Sequence, residues 1–321
     1  MLVLGLNGSP RKKGNSDYLL SLFLKDAEKR GFETKIINGA ELEYKSCTGC
    51  GHCEKKGFCI IEDSLAEDIF PFFRRADVIV LSTPVYFYSV PAQIKHLIDR
   101  TQTLWSRKYR FGLKDPGSCS RKGIFLSCGA TKGDNLFDGI RLTAKYFFDA
   151  LGAEFADELC YRRIDSRSQM EKEPGVRGDV RELGERVLTS FETRKRVLFI
   201  CRENAGRSQM AAGFAKSIAG ENFDVMSAGS RPAEHVNQVA VDVMAEKGLD
   251  LGFIKPCSID DAIKNALPPN IVVTMGCGEE CPVIPGAKVV DWDLPDPAGK
   301  SVDEVRTIRD IIEKKVISLC S

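Results

Sequence analysis

Cys201, Arg207 and Ser208 stand in the run CRENAGRS, a cysteine followed by five residues, then arginine and serine, between the apolar stretch VLFIC and a helix-forming segment. A loop of this length at a helix N-terminus turns backbone N–H groups inward, where they and the helix dipole bind a tetrahedral oxyanion. The same field favours the thiolate of Cys201, the form in which sulfur is a nucleophile. Arg207 can grip two oxygens of the anion with its planar fork, and Ser208 can donate a hydrogen bond to the Cys201 sulfur. Asn204 and Gly206 suit a tight loop, being residues that tolerate a left-handed backbone. A cysteine that merely closes a buried strand is the alternative, and the spacing argues against it.

Other cysteines are clustered. SCTGCGHCEKKGFC places Cys47, Cys50, Cys53 and Cys59 in one short stretch. Four thiolates so compactly placed suit a cubane iron–sulfur cluster, zinc is the competing metal, and a metal-free thiol loop is the third reading. His52 between them reads as a solvated loop residue. Cys277 and Cys281 flank Gly278, Glu279 and Glu280, and such a thiol pair can supply two electrons by closing to a disulfide. A structural couple or half a zinc site is the alternative, with no nearby Cys/His pair to complete a tetrahedron. Cys119, Cys128, Cys160, Cys257 and Cys320 are scattered and read as small buried hydrophobes or inert thiols. A second anion loop, GSPRKKGNS, follows the first apolar strand, with Ser9, Arg11, Asn15 and Ser16 able to hydrogen-bond a terminal phosphate at a helix start.

These groups need elements to hold them. The first part of the chain alternates strand and helix signals: strands at Leu2 to Asn7, Thr34 to Asn38, from Asp77, at Gly123 to Cys128 and around Glu154 to Leu159. Helices are expected after the first loop, near 91–105, 134–150 and 178–192, and Ser64 with Glu67 reads as a capping box. Continuous apolar runs such as DVIVLSTP belong in a parallel sheet buried on both faces, so the pattern is an open doubly wound α/β fold. The polar stretch Ser190 to Arg196 then gives way to VLFIC, and strand, turn and helix begin afresh. This places domains at 1–192 and 195–321, the second a smaller α/β unit with strands near 196–200, 223–228, 271–275 and 288–291 and helices near 208–219, 235–247 and 301–319.

At 321 residues the chain has room for two cores, and 46 basic against 45 acidic residues leave no patch for nucleic acid. MLVLGLNGSP enters a strand directly, and no apolar run approaches a membrane span, so a cytoplasmic, membrane-free protein is expected. In a reducing cytosol, 12 cysteines point to metal or redox chemistry rather than a disulfide scaffold. Oligomeric state is open, a homo-oligomer included.

VLFICRENAGRSQMAAGFA resembles the opening of the low-molecular-weight tyrosine phosphatase superfamily, and more closely its arsenate reductase branch, across 195–321. The resemblance implies that Asp296, in the late Asp296-Pro297 pair, protonates the departing oxygen, and that the strand end carrying Cys277 and Cys281 takes part in a thiol relay. Phosphatases of the family read CxxxxxRSP and carry an aromatic residue after Asp-Pro; here Gln209 follows Ser208 and Ala298 follows Pro297. The close spacing of Cys277 and Cys281 differs from thioredoxin-coupled relatives, so the reductant is either thioredoxin or a low-molecular-weight thiol. A phosphatase-type hydrolase and a non-catalytic oxyanion sensor are the alternatives. The first part, with its Gly8 to Ser16 loop, TPVYFYSVPAQIKHLIDR from Thr83 and SCGATKG from Ser127, is similar to flavodoxin-like NADPH-dependent FMN reductases and iron–sulfur flavoproteins. That implies FMN, with Pro84, Val85, Tyr86 and Phe87 along the ring and Ser127 and Gly129 flanking it. It also implies a 4Fe-4S cluster on Cys47, Cys50, Cys53 and Cys59, with NAD(P)H as a candidate electron donor.

Overall fold

The computed structural model describes residues 1–264, 267–276 and 284–321. The chain folds as two compact units: Leu2–Phe111 with Ser120–Glu192, and Thr193–Ser321 with Met1 and Gly112–Cys119.

In the first unit β1 (Leu2–Asn7), β2 (Glu33–Asn38), β3 (Val78–Pro84), β4 (Lys122–Cys128) and β5 (Glu154–Tyr161) form one parallel sheet in the order β2-β1-β3-β4-β5. This is the flavodoxin-like doubly wound order, whose direction of winding reverses between β1 and β3. Hydropathy explains the order: β1, β3 and β4 are apolar and buried almost throughout, whereas β2 and β5 carry exposed positions and lie at the edges. The helices are α1 (Asn15–Lys29), α2 (His52–Lys56), α3 (Leu65–Asp68), α4 (Phe70–Arg75), α5 (Ala92–Arg100), α6 (Gln102–Tyr109), α7 (Asp138–Ala150) and α8 (Val176–Glu192). Two local expectations fail. The helix expected near 91–105 is broken at Thr101, where the hydroxyl bonds back to the Ile98 carbonyl and competes with the helical ladder. No capping box forms at Ser64, because its hydroxyl donates to Asp68 instead of accepting from the Glu67 amide.

In the second unit β6 (Lys195–Cys201), β7 (Phe223–Gly229), β8 (Ile271–Thr274) and β9 (Lys288–Asp291) form a parallel sheet in the order β7-β6-β8-β9. Its helices are α9 (Arg207–Ala219), α10 (Gln238–Ala245), α11 (Ile259–Ile263) and α12 (Val302–Cys320), of which α11 has no counterpart in the sequence reading. α12 opens on a complete capping box of Ser301 and Glu304. Phe199, Met210, Phe214, Val243, Ile308 and Ile312 are among its buried core residues. The Gly112–Cys119 segment joins this unit through main-chain bonds, Lys114 N–H to the Gly248 carbonyl and Asp250 N–H to the Lys114 carbonyl, each 2.8 Å. Cys119 Sγ donates to the Lys216 carbonyl on α9 at 3.0 Å. Among the described residues no helix is long and apolar enough to cross a membrane.

Candidate active site

Cys201 ends β6, 4% exposed, and the chain passes over the sheet edge into α9 at Arg207. Four carbonyls of this loop are held by amides of the segment 230–237. Cys201 O accepts from Ser230 N–H at 3.2 Å, Arg202 O from Arg231 at 2.8 Å, Glu203 O from Ala233 at 2.9 Å and Ala205 O from Asn237 at 2.8 Å. In a planar trans peptide the next N–H points opposite to the carbonyl, so the amides of Arg202, Glu203, Asn204 and Gly206 face inward. The Asn204 amide reaches Cys201 Sγ at 3.2 Å. Asn204 adopts the left-handed conformation expected of it, φ 51°. Gly206 does not, at φ −132°; a side chain there would instead press on Pro297, 3.0 Å from an added Cβ. Gly229, unremarked in the sequence, permits the close approach of the whole loop, since a Cβ would lie 2.7 Å from the Arg202 carbonyl and 2.8 Å from the Asn204 nitrogen.

The Cys201 sulfur also lies 3.0 Å from Ser208 Oγ. Asn204 Nδ2 donates to that hydroxyl at 2.9 Å, and Asn204 Oδ1 accepts from Gln209 Nε2 and from the Cys257 amide, both at 3.0 Å. Asn204, Ser208 and Gln209 are all buried. Arg207 is buried with its Nη1 given to the Met275 and Leu294 carbonyls at 3.0 and 3.1 Å, so the two-armed grip expected of it is not offered through that nitrogen. Its Nη2 donates to Asp296 Oδ2 at 3.1 Å, and Asp296 Oδ1 accepts from the Ala298 amide. The structure thus brings Cys201, Arg207, Ser208 and Asp296 to one place. Cys277 and Cys281 lie outside the described residues.

In the first unit, Gly14 is the N-cap of α1 and no side chain caps the helix's first amides. Around it, Ser9 Oγ accepts from Arg11 N–H at 3.1 Å, and the Arg11 side chain is exposed. Asn15 is spent elsewhere, donating to the Ser166 carbonyl and accepting from Met170 N–H, and the Ser16 hydroxyl is turned inward to Cys128. Ser127 is likewise placed differently from the expectation: fully buried, it donates to the Thr83 carbonyl, while the Gly129 amide bonds Tyr161 O. After Pro84 and Val85, Tyr86 and Ser89 pair across a tight turn with Phe87 and Tyr88 at φ 48° and 60°. Two aromatic residues held left-handed and exposed are locally strained. Gly139 completes the turn, because a Cβ there would lie 2.4 Å from the Tyr88 carbonyl.

Cys47 and Cys50 are exposed, on a coil where Gly49 and Gly51 are left-handed with no heavy atom near an added Cβ. Cys53 and Cys59 are half-buried; Cys53 accepts from Ser106 Oγ at 3.7 Å, and the Gly57 carbonyl between them accepts from Arg107. Among the described residues no three His, Cys, Asp or Glu side chains converge to hold a metal, so the four thiols as placed do not fit a cluster. Burial pushes the Cys128 thiol up and the Cys160 thiol up to about 12, so both are inert at neutral pH.

A sulfur seated under inward amides at a helix start, with an Arg–Asp pair at that same helix start, suits chemistry on tetrahedral oxyanions, and it stands on a small parallel α/β unit preceded by a flavodoxin-like unit. Residues 196–321 match the low molecular weight phosphotyrosine protein phosphatase family and residues 1–118 the NADPH-dependent FMN reductase family. The chain belongs to the phosphatase family through its second unit and carries an FMN reductase domain ahead of it. An arsenate reductase of Staphylococcus aureus is 40% identical over 126 residues, 38% of this chain and 92% of that protein. Arsenate reductase 2 of Staphylococcus saprophyticus is 37% identical over 124 residues, 38% of this chain and 94% of that protein. An iron-sulfur flavoprotein of Methanosarcina thermophila is 36% identical over 132 residues, 41% of this chain; the chain spans only 65% of that relative's length.

Proposed function

We propose that the second unit reduces arsenate to arsenite with Cys201 as nucleophile, and that the first unit binds FMN. The observation that supports the first part is the Cys201 sulfur beneath a loop in which the carbonyls of Cys201, Arg202, Glu203 and Ala205 are bound by outside segments, leaving amides turned to the sulfur for a tetrahedral anion. The Cys201 thiolate attacks arsenic, an S–As bond forms, and one oxygen leaves as water with a proton from Asp296. Arg207 Nη2, 3.1 Å from Asp296 Oδ2, would hold the anion and the carboxyl group side by side. A second thiol, read from the sequence as Cys277, then attacks the Cys201 sulfur; the S–As electron pair stays on arsenic, giving arsenite and a disulfide. Cys281 displaces Cys201, and the Cys277–Cys281 disulfide is reopened by thioredoxin or a low-molecular-weight thiol, two electrons per turnover.

The phosphatase reading is favoured only by the family's name, and Ala298 leaves no aromatic shelf after Pro297. Arsenite release with a thiol reductant should vanish in Cys201→Ser and fall by about 10²- to 10⁴-fold in Asp296→Asn. Efficient aryl phosphate hydrolysis by a protein that leaves arsenate untouched would put the phosphatase reading in its place.

For FMN, the free amides at the start of α1 with Ser9 and Arg11 would hold the phosphate, and Pro84, Val85, Tyr86 and Phe87 would lie along the ring. Bound there, FMN supplies two-electron acceptance from NAD(P)H. The cysteine spacing supports a 4Fe-4S cluster and the relative's name an iron–sulfur group, but the four thiols as placed do not fit one, so no electron step is assigned to it. Flavin absorption bands together with iron and sulfide analysis of anaerobically purified protein test both cofactors; stoichiometric zinc would decide for that metal instead.

A further inference from the structure

We infer that Gln209 is a positioning residue for Cys201, acting through Asn204 and Ser208 to strengthen the hydrogen bonds on the sulfur. The inference rests on Cys201 as the reacting thiol. The Cys257 amide can only donate, and it lies 3.0 Å from Asn204 Oδ1, which fixes that end of the side chain as oxygen. Nδ2 therefore faces Ser208 Oγ at 2.9 Å and donates to it. With its oxygen accepting there, the serine hydroxyl gives its own hydrogen to Cys201 Sγ at 3.0 Å. The Cys257 amide and Ser208 thus hold the two ends of the Asn204 amide, and Gln209 Nε2, 3.0 Å from the same Oδ1, adds a second donor there that polarises the amide and strengthens its donation to Ser208. Asn204 and Ser208 are fully buried and Gln209 is 3% exposed, so water offers little competition for any of these bonds. The chain of polarity ends on sulfur, where the donors from Ser208 and the Asn204 amide stabilise the thiolate and not the thiol. Loss of the Gln209 donor should therefore be felt as a change in how Cys201 reactivity depends on pH, which a space-filling role would not produce.

The test uses the full chain and follows alkylation of the Cys201 peptide by iodoacetamide with mass spectrometry, from mildly acidic to mildly alkaline pH, with inorganic phosphate as the protecting anion. Gln209→Met keeps the volume and removes the donor; its rate should fall by about three- to tenfold at acidic pH and converge on the native rate at alkaline pH. Gln209→Glu donates only while its carboxyl is protonated, so its rate relative to native should dip where the carboxyl is ionised and the thiol only partly so, and recover at alkaline pH. Protection by phosphate should change by less than about twofold in either variant, because the loop amides remain in place. Profiles parallel to native at every pH in both variants would overturn the proposal, and so would equal losses at every pH. If Gln209→Met does not fold, the isosteric Gln209→Glu decides alone. Alkylation needs no turnover: a protein inert to arsenate that still shows these profiles refutes the arsenate reading and leaves the role of Gln209 standing.

Discussion

Gly229 decides the shape of the anion loop although it belongs to β7. An alanine there would put a carbon 2.7 Å from the Arg202 carbonyl and 2.8 Å from the Asn204 nitrogen, both backbone atoms that cannot rotate aside. Gly229→Ala should therefore leave the protein folded but move the inward amides, lowering kcat/KM for arsenate by about 10²-fold, as a misplacement of order 1 Å does. Steady-state kinetics with circular dichroism as a fold control checks this, and unchanged kinetics would mean that the loop absorbs the shift. The residues of CRENAGRS were legible because a loop's chemistry is written within its own few positions. Gly229, Asn237 and the Cys257 amide were not, because they act from distant segments through backbone contacts that leave no side-chain signature. The expected ligands Asn15, Ser16 and Ser127 show the converse: polar residues in a plausible loop whose hydrogen bonds the protein itself consumes.

Among the elements, the cysteine loop is pinned at both ends by one ion pair. Arg100, on α5 and 3% exposed, donates to both Asp63 oxygens at 2.7 and 2.9 Å and to the Lys45 carbonyl at 2.7 Å, while Lys45 N–H returns to Asp63. The Arg100 guanidinium holds the Asp63 carboxyl below the usual carboxylate range. A folded-state value below the unfolded one means stability that is present above the ordinary carboxylate range and lost as pH falls through the lowered value. Asp63→Asn should cost roughly 3 kcal/mol at neutral pH, where it leaves a buried cation unpaired, and progressively less in acid, where the native carboxyl is itself protonated. Thermal melts of both proteins against pH read this out; a constant gap at all pH values would show that the charge is not the cause. Strands and long helices followed from the sequence because apolar runs and helical periodicity are strong signals over many residues. The break at Thr101 and the missing box at Ser64 did not, since each turns on where one hydroxyl points.

On the scale of the whole molecule, the polar stretch before VLFIC marks where one sheet ends and another begins, but it is not the only crossing. Gly112–Cys119 leaves the sequence of the first unit and belongs to the second, fixed by Lys114 to Gly248 and Asp250 and by Cys119 to Lys216. No composition change announces it, because eight ordinary residues carry the contact mostly through their backbone. A protein cut to Thr193–Ser321 should melt about 5 °C or more below the same unit in the full chain, the loss of roughly 2 kcal/mol, and a peptide of residues 112–119 should recover part of it. Equal melting temperatures would make the segment a passenger. The second unit is thus drawn from three separate stretches of the chain, Met1, Gly112–Cys119 and Thr193–Ser321, the second of them inside the stretch that forms its neighbour. A cut at Ser190 to Arg196 alone would carry the second unit over without Gly112–Cys119.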